Sequence, residues 1–409
     1  MKHYCRFCNK LLTTVFVDLG NSPLSNSFLT IKEVNMEEVF HSLCTYVCDK
    51  CLLVQLPEFE SPEHIFREYP YFSSYSTTWL KHAEEFVEMI TKKYDFNDKS
   101  TIIEIASNDG YLLQYFKGKN IPILGIEPAA NVAQVAQEKG IPTLIKFFGV
   151  NTANELVKDS KKGDCIIANN VLAHVPDLND FVKGLKILLK QDGIITIEFP
   201  HLLQLIKNTQ FDTIYHEHFS YFSLIVIKKI FSFHGLTVFD VDELSTHGGS
   251  LRIYVKHSEN SKIIINKNVY KILEMEKIFG LSNMSSYSKF SEDVKCVKKQ
   301  MCDFFINAKK NGKKIVGYGA AAKGNSLFNY CKIEKKDVEY VVDKNPHKQG
   351  LFLPGSHIPI KNPKIIMETK PDYVIILPWN IKEEVMEENA FIREWGGKFV
   401  IPIPRVVIV

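Results

Sequence analysis

Four side chains that can exchange protons or form hydrogen bonds lie side by side in Tyr215-His216-Glu217-His218. Histidine titrates near neutral pH, and a neighbouring carboxylate can orient it or stabilise its charge, so this run suits proton transfer. In an extended strand, Tyr215 and Glu217 would face one way and the two histidines the other. A buried structural histidine cluster is one alternative. A metal site is another, although no third ligand accompanies the histidine pair.

Two closely spaced cysteine pairs form a second reactive set, Cys5-x-x-Cys8 and Cys48-x-x-Cys51, among nine cysteines in the chain. Each pair can hold one tetrahedral ion from a tight turn, and thiolates suit zinc. Because sulfur would fill every position, the pairs predict a structural ion rather than a catalytic one. Cys44 is a spare candidate ligand. Disulfide bonds are the alternative, and a reducing cytosol disfavours them.

A candidate cofactor loop, residues 107–110 (Ser-Asn-Asp-Gly), follows an apolar run at 102–105 that predicts a buried parallel strand. A second predicted strand at 123–126 ends on Glu127, whose two oxygens could accept both hydroxyls of a ribose. A dinucleotide site needs three spaced glycines, whereas this loop has one glycine and a negative charge that would repel phosphate. The loop resembles the first motif of class I methyltransferases and suits the cationic S-adenosylmethionine. An ordinary capped turn is the alternative.

The cofactor site is expected to extend to the ends of neighbouring strands. Phe148 could stack against an adenine ring, and a strand predicted at 164–170 ends in two asparagines. The predicted cofactor-binding residues are Glu104, Ser107, Asn108, Asp109, Gly110, Glu127, Pro128, Phe148, Asn169 and Asn170.

A glycine-rich turn at 317–322 (Gly-Tyr-Gly-Ala-Ala-Ala) fits the fingerprint of a dinucleotide site. A strand predicted at 338–342 ends on Asp343, roughly where a ribose-binding acid belongs. Taken alone, this pattern predicts a nicotinamide-dependent oxidoreductase. A single fingerprint does not fix function, so a scaffold role for the turn is the alternative.

The elements that must position these residues alternate between strand and helix, which predicts an α/β sheet. We predict three parts: a small N-terminal zinc module at 1–66, a central doubly wound sheet of the class I methyltransferase type at 67–245, and a C-terminal Rossmann-like domain at 246–409. An amphipathic helix is expected at 79–94, and long polar-faced helices at 267–310.

The order of the motifs indicates a resemblance over essentially the whole chain. After the first cysteine pair and the second come Tyr-Pro-Tyr-Phe-Ser-Ser (69–74), Ser-Asn-Asp-Gly (107–110), Tyr-His-Glu-His-Phe-Ser-Tyr (215–221), His-Gly-Gly-Ser-Leu-Arg (247–252) and Gly-Tyr-Gly-Ala-Ala-Ala-Lys-Gly (317–324). In this combination the chain resembles the zinc-containing, S-adenosylmethionine-dependent sugar C-methyltransferases that act on nucleotide-linked 4-keto-deoxysugars. The resemblance implies that a sugar nucleotide binds between the central and C-terminal domains, and that the glycine-rich turn is a scaffold facing its phosphates.

The resemblance also implies a mechanism. His218 would remove the proton from the carbon next to the C4 ketone, usually C3, with Glu217 holding its tautomer and a tyrosine donating to the ketone oxygen. The enolate carbon would then attack the sulfonium methyl, without a metal. The expected catalytic residues are His218, Tyr215, Glu217, His174, Tyr69 and Tyr71, and the expected substrate-binding residues are His216, Arg252, Lys323 and Asn325.

Rival classes make different demands. An O- or N-methyltransferase would keep the cofactor site but need no enolisation, and a non-enzymatic zinc-anchored binding protein would not need the 215–218 run. The net charge of +3 over 409 residues, with scattered lysines, argues against nucleic acid or membrane partners. No apolar signal segment or long apolar run is present, so we expect a cytoplasmic protein that is a monomer or weak homo-oligomer.

Overall fold

The computed structural model describes residues 2–61 and 72–409, whose strands form sheets of four, seven and six strands. The strands are β1 Thr14–Ser22, β2 His41–Val47, β3 Val54–Gln55, β4 Ile102–Ile105, β5 Ile123–Ile126, β6 Thr143–Leu144, β7 Gly163–Ile167, β8 Leu189–Pro200, β9 Ser220–Tyr221, β10 Leu236–Leu244, β11 Ser250–His257, β12 Ile315–Tyr318, β13 Val341–Val342, β14 Ile360–Lys361, β15 Tyr373–Ile376, β16 Lys398–Ile401 and β17 Val407–Ile408. The α-helices are α1 Thr77–Tyr94, α2 Leu113–Gly118, α3 Ala130–Glu138, α4 Val150–Lys158, α5 Leu178–Leu188, α6 Leu202–Lys207, α7 Leu224–Phe233, α8 Lys267–Phe279, α9 Ser285–Ser288, α10 Phe290–Lys310, α11 Ala322–Cys331, α12 Ile365–Thr369 and α13 Lys382–Glu388.

The N-terminal sheet has the order β1-β2-β3-β9, and each neighbouring pair is antiparallel. Its last strand comes from the middle of the chain, where Val54 pairs with Tyr221 and Gln55 with Ser220. The sheet of the predicted zinc module is therefore completed by residues that follow the 215–218 run almost directly.

The central sheet has the order β6-β5-β4-β7-β8-β11-β10. The strands from β6 to β8 are parallel, and β11 is antiparallel to both β8 and β10. Strand β4 is buried along its whole length, as expected for a parallel strand covered by helices on both faces. This arrangement confirms the α/β class I methyltransferase fold. The boundaries at 66 and 245 stay predictions, since strand pairing crosses both.

The C-terminal sheet has the order β14-β13-β12-β15-β16-β17 and is parallel except for β17. Helix α11 begins directly after the glycine-rich turn that follows β12. The long helices expected at 267–310 are present as α8 and α10.

Two element ends differ from the sequence expectations. Helix α1 begins at Thr77 because the side chain of Ser76 accepts a hydrogen bond from the N–H of Trp79 and so caps it. The strand expected at 164–170 ends at Ile167, and Asn170 has a φ of 54° that no strand allows.

A continuous hydrophobic core joins the three sheets. Phe16 of β1 stacks on Phe290 of α10, with ring centroids 4.6 Å apart, and Leu29 pairs with Phe352 of the C-terminal domain. Together with the pairing of β3 and β9, these contacts pack the N-terminal module against both other parts. Among the residues that the structure describes, no helix combines the length and apolar character needed to cross a membrane.

Candidate active site and metal centre

The cofactor loop leaves β4 with a strained backbone. Ala106, Asn108 and Gly110 all have positive φ angles, of 57°, 50° and 77°. A Cβ atom on Gly110 would lie 2.2 Å from Cδ1 of Ile141, so glycine is required by both the angle and the space. Strain of this kind concentrates at functional sites, and here it coincides with the predicted cofactor loop.

Two buried carboxylates face the loop. Glu127, at the end of β5, accepts hydrogen bonds from the N–H groups of Asn108 and Ala129, each at 2.9 Å. Burial raises the pKa of Glu127 to about 7. Burial, together with the nearby Glu127 and Asp109, raises the pKa of Glu104 well above its usual value. Such a group of crowded carboxyls favours a cationic ligand, which would restore their ionised forms.

Several buried polar atoms near the loop have no hydrogen-bond partner among the described residues. They are Oε2 of Glu104, Oγ of Ser107, Oδ1 of Asn169, and both amide atoms of Asn170. Orphaned polar atoms are costly unless a ligand or water satisfies them. The acceptors suit the ammonium and ribose hydroxyl groups of S-adenosylmethionine, and the amide donor suits its carboxylate. The residues present therefore fit this cofactor.

Two predicted cofactor residues have partners that the sequence did not suggest. The carboxylate of Asp109 accepts hydrogen bonds from Ser74 and from Nζ of Lys139, the latter at 3.3 Å, so its charge is offset within the protein. The ring of Phe148 packs edge-to-face on Phe181, with centroids 5.4 Å apart. Oδ1 of Asp109 has no hydrogen-bond partner among the described residues, and cofactor contacts of Asp109 and Phe148 stay predictions. Pro128 is half-buried directly after Glu127.

The 215–218 run is a tight turn, in which the N–H of His218 donates to the carbonyl of Tyr215 at 2.9 Å. The expected strand is therefore wrong, and Tyr215 and His218 lie together. Nε2 of His218 is 3.0 Å from the hydroxyl of Tyr215, and Nδ1 is 2.9 Å from the carbonyl oxygen of Thr213. Because a carbonyl can only accept, we assign the imidazole proton to Nδ1 and the lone pair to Nε2.

Other histidines surround His218. The rings of His174 and His218 have centroids 4.8 Å apart at an angle of 67°. Burial, followed by the nearby His174, lowers the pKa of His218 well below its usual 6.5. Burial also lowers the pKa values of His174 and His247 to about 4. All three rings are therefore neutral at pH 7, and His218 can accept a proton there.

Glu217 and His216 point away from this cluster. The carboxylate of Glu217 accepts a hydrogen bond from Asn26 at 2.5 Å, and burial raises its pKa to about 7. Nε2 of His216 lies 3.2 Å from the carbonyl oxygen of Ser42, and its ring packs on Phe59. The expected contact between Glu217 and His218 is wrong, because Nδ1 of His218 binds the carbonyl of Thr213. His216, expected to bind substrate, packs against the N-terminal module.

Lys323 reaches the histidine cluster from the C-terminal domain. Its Nζ donates to Oδ1 of Asn380 at 3.0 Å and lies 4.7 Å from the centre of the Trp379 ring. Burial lowers the pKa of Lys323, which the nearby Asp212 opposes. The charge of Lys323 also lowers the pKa values of His218 and His247. The histidine cluster therefore lies where the central and C-terminal domains meet.

Two predicted substrate ligands have buried partners instead. Both Nε and Nη2 of Arg252 donate to Oε1 of Glu198, at 2.8 and 2.5 Å, because β11 and β8 place the two residues opposite each other. The amide of Asn325 donates to the carbonyl of Ser25 at 2.5 Å and holds the N-terminal module against α11. These contacts occupy two N–H groups of Arg252 and the amide N–H of Asn325, whose Oδ1 has no hydrogen-bond partner among the described residues. Substrate roles for both residues stay predictions.

His247 and Trp379 were missed as candidates. His247 has a φ of 54° and lies near Lys323 and His174. A Cβ atom on the following Gly248 would lie 2.5 Å from the Trp379 ring. The His-Gly-Gly motif was a usable signal for His247. No local sequence pattern marks Trp379. Only the fold brings it to Asp212, where Nε1 of Trp379 donates a hydrogen bond to Oδ2 of Asp212 at 2.6 Å.

Asp343, the acid predicted to bind a ribose, instead binds backbone N–H groups of its own domain. Oδ2 of Asp343 accepts from the N–H of Ala320 and Oδ1 from the N–H of Asn345, each at 2.8 Å. Lys348 donates to the carbonyl of Ala320 at 2.8 Å. Asp343 thus stabilises the turn itself, which favours the scaffold interpretation over a nicotinamide site.

The predicted tyrosines Tyr69 and Tyr71 lie outside the described residues. The segment that follows them touches the cofactor loop, where the N–H of Ser73 donates to Oδ1 of Asn108 at 2.9 Å. Tyr75 stacks on His347 of the C-terminal domain, with centroids 6.4 Å apart.

Four sulfur atoms form the candidate metal centre. Cys5 Sγ lies 3.5 Å from Cys51 Sγ, Cys8 Sγ lies 3.5 Å from Cys48 Sγ, and all four lie within 4.8 Å of one another. A tetrahedral ion with Zn–S bonds of about 2.3 Å needs sulfur atoms about 3.8 Å apart, so the cluster fits zinc. Cys44 is not part of the group.

Family models match three stretches of the chain. A zinc binding domain matches residues 5–66, a methyltransferase domain matches residues 79–241, and a C-methyltransferase C-terminal domain matches residues 245–404. Together with the four-sulfur cluster and the fit of the loop, they assign S-adenosylmethionine as the cofactor and zinc to the N-terminal domain.

The chain is similar to known proteins over different lengths. It is 27% identical to a ubiquinone biosynthesis O-methyltransferase of Glaesserella parasuis, over 25% of this chain and 48% of that protein. Structures with partial similarity include magnesium protoporphyrin IX methyltransferase of Synechocystis (TM-score 0.34, 14% identity, 44% of this chain and 79% of that one) and PH0226 protein of Pyrococcus horikoshii (TM-score 0.37, 13% identity, 49% and 99%). It is 31% identical to C-methyltransferase NovU of Streptomyces niveus over 401 residues, 98% of this chain and 95% of that protein. The chain therefore belongs to the family of S-adenosylmethionine-dependent C-methyltransferases that have an N-terminal zinc-binding domain.

Proposed function

We propose that the protein methylates a carbon next to the ketone, C3, of a nucleotide-linked 4-keto-deoxysugar, with His218 as the general base. The observation that carries this proposal is the arrangement of His218, whose Nδ1 is fixed by Thr213 and whose Nε2 lone pair meets Tyr215. A neutral imidazole with its tautomer fixed by a carbonyl is a suitable base for a weakly acidic C–H bond.

The proposed reaction begins with proton transfer from C3 to Nε2 of His218, which leaves an enolate on the sugar. The hydroxyl of Tyr215 turns from Nε2 to the ketone oxygen, where it stabilises the developing negative charge. His174 and His247, both neutral, lie beside His218. S-adenosylmethionine, held by the 107–110 loop and Glu127, would supply the electrophilic methyl group that the nucleophilic carbon of the sugar requires.

Lys323 is a buried cation beside the histidine cluster that could meet the negative substrate. Lys323 lies over the Trp379 ring and beside Asn380, and its charge contributes to the lowered pKa of His218. We propose that Lys323 binds the sugar nucleotide, either at its diphosphate or at the ketone oxygen.

Deuterium wash-in tests the proposal. The protein is incubated in heavy water with S-adenosylhomocysteine and a panel of nucleotide-linked 4-keto sugars, and the wild type is compared with His218→Gln. His357→Gln serves as a matched control, because His357 pairs with Glu38 and is not part of the histidine cluster. We expect exchange next to the ketone in the wild type and control, and none in His218→Gln.

Two results would contradict the proposal. Unchanged exchange in His218→Gln would exclude this residue as the base. Methyl transfer to an oxygen or nitrogen of a sugar, without exchange of any C–H, would replace carbon methylation by heteroatom methylation.

A further inference from the structure

We infer that Arg6, in the first cysteine turn, is a positioning residue that fixes the loops carrying His174 and His218 relative to each other. Arg6 lies between Cys5 and Cys8, in the N-terminal domain. Its guanidinium donates to the backbone near His174 and at Leu56, and it lies over the ring of Phe219, the residue that follows His218. The catalytic role of these loops rests on the proposed function. The position of the two histidine rings can be measured independently of that function.

The guanidinium of Arg6 joins two chain segments. Nη1 donates to the carbonyl of Pro176 at 2.7 Å, two residues after His174. Nη2 donates to the carbonyl of Leu56 at 2.5 Å, directly after β3. One planar side chain thus binds the His174 loop and the N-terminal sheet together.

The second histidine is tied to the same point. The N–H of Leu56 donates to the carbonyl of Phe219 at 3.0 Å, and the N–H of Phe219 donates to the carbonyl of Ala173 at 2.8 Å. The guanidinium carbon of Arg6 lies 5.3 Å from the centre of the Phe219 ring. These contacts form a closed ring around the residues next to His174 and His218.

The cysteine turn fixes Arg6 in its place. The N–H of Arg6 donates to Oε1 of Gln55 at 2.9 Å, while Nε2 of the same buried glutamine donates to Sγ of Cys5 at 3.2 Å. Asn179 donates to the carbonyl of Arg6 at 3.3 Å. The sulfur cluster is thereby connected, through Gln55 and Arg6, to the backbone that supports both histidines.

Arginine is required by this geometry. Two carbonyls of separate segments must be bound at once, and the fork of a guanidinium presents two N–H donors in one plane. A lysine carries the same charge but a single ammonium on a flexible stem. Arg6→Lys should therefore keep the charge and lose the coupling.

The test compares Arg6→Ala and Arg6→Lys with Arg393→Ala, a matched control on an exposed arginine. Protein labelled at histidine Cε1 is examined by two-dimensional NMR, with the signals of His174 and His218 assigned from His174→Gln and His218→Gln. We expect both Arg6 variants to shift or broaden these two signals and leave most other histidine signals in place. Zinc content and the affinity for S-adenosylmethionine should stay within about twofold of wild type.

Free guanidinium ion should restore the two signals in Arg6→Ala and have no effect on Arg6→Lys or Arg393→Ala. With a substrate in hand, exchange next to the ketone should fall at least tenfold in Arg6→Ala and recover with guanidinium. Unmoved His174 and His218 signals in Arg6→Ala would overturn the inference. So would a general change in all histidine signals with loss of zinc in both Arg6 variants, since Arg6 would then support the fold as a whole. If the wild type exchanges no sugar, the proposed function fails, and the NMR comparison still decides the role of Arg6.

Discussion

The hydroxyl of Tyr215 lies 3.0 Å from Nε2 of His218, and their ring centroids are 4.1 Å apart. The hydrogen bond satisfies the lone pair of the imidazole while no substrate is bound. The same hydroxyl is a donor that could turn to a ketone oxygen when the base is needed. One side chain thus protects the base and can serve the enolate.

Replacing Tyr215 by phenylalanine should therefore lower turnover without preventing binding. Loss of one donor to a developing oxyanion costs about 10²–10³-fold in rate. We expect Tyr215→Phe to reduce kcat by about 10²-fold and to leave the Kd of S-adenosylmethionine unchanged, as measured by steady-state kinetics and calorimetry. Tyr270→Phe, on the exposed face of α8, is the control. A Tyr215→Phe variant with wild-type kcat would assign the oxyanion to another donor.

Proton removal should depend on pH through His218. Its pKa is lowered, so the neutral base is already formed below pH 6.5, and exchange should rise with pH to a plateau reached before that value. Lys323→Met removes a nearby positive charge that contributes to this lowering, so the rise should move to higher pH. Exchange rates between about pH 4.5 and 8 measure both profiles. A wild-type midpoint above neutrality would show that another group takes the proton.

Binding of the cofactor should release protons. The pKa of Glu127 is raised to about 7 and that of Glu104 well above its usual value, so part of the free protein holds these carboxyls protonated near neutral pH. A cationic ligand favours the ionised forms, so affinity should tighten as pH rises towards about 7 and above. Calorimetry in buffers of different ionisation enthalpy measures the release.

The variant Glu127→Gln isolates one of these carboxyls. It should bind S-adenosylmethionine at least about 10-fold more weakly, since a charge-assisted hydrogen bond contributes about 1.5–3 kcal/mol. Binding to this variant should also release fewer protons. Glu138→Gln, at the exposed end of α3, should behave as wild type. Equal proton release by wild type and Glu127→Gln would contradict the assignment.

Loss of the metal should destabilise the protein. Structural zinc contributes folding free energy directly, so Cys48→Ser or a strong chelator should lower the thermal midpoint and release about one zinc ion per chain. Cys296→Ser replaces an exposed cysteine outside the cluster and should retain both the metal and the midpoint. Absence of zinc from the freshly purified wild type would refute a zinc centre.

The sequence predicted best what neighbouring residues determine. Strand β5 spans the expected residues because a short apolar run is bounded by Pro122 and Glu127, and the cysteine spacing predicted a sulfur cluster that the structure assembles. Here local pattern and fold agree.

The contacts that the sequence did not predict are made with residues far away along the chain. The partner of Arg252 lies 54 residues away at Glu198, that of His216 lies 174 residues away at Ser42, and that of Asn325 lies 300 residues away at Ser25. A motif shows that a polar residue is present and not which distant group it meets. The turn at 215–218 was not predicted for a similar reason. Its alternating residue types are compatible with a strand, and the contact with Thr213 and the pairing of β9 with β3 are not visible in the local sequence.

The pairing of β3 with β9 has a consequence for dividing the molecule. Separated after residue 61, the N-terminal part would lose the neighbour of β3 and expose unpaired backbone groups at that sheet edge, which invites association with other chains. Conversely, a central part expressed without its first 61 residues would have no partner for β9, directly after the proposed base. The two parts can therefore be exchanged between homologous proteins only together, as a single inherited unit that includes residues 215–221.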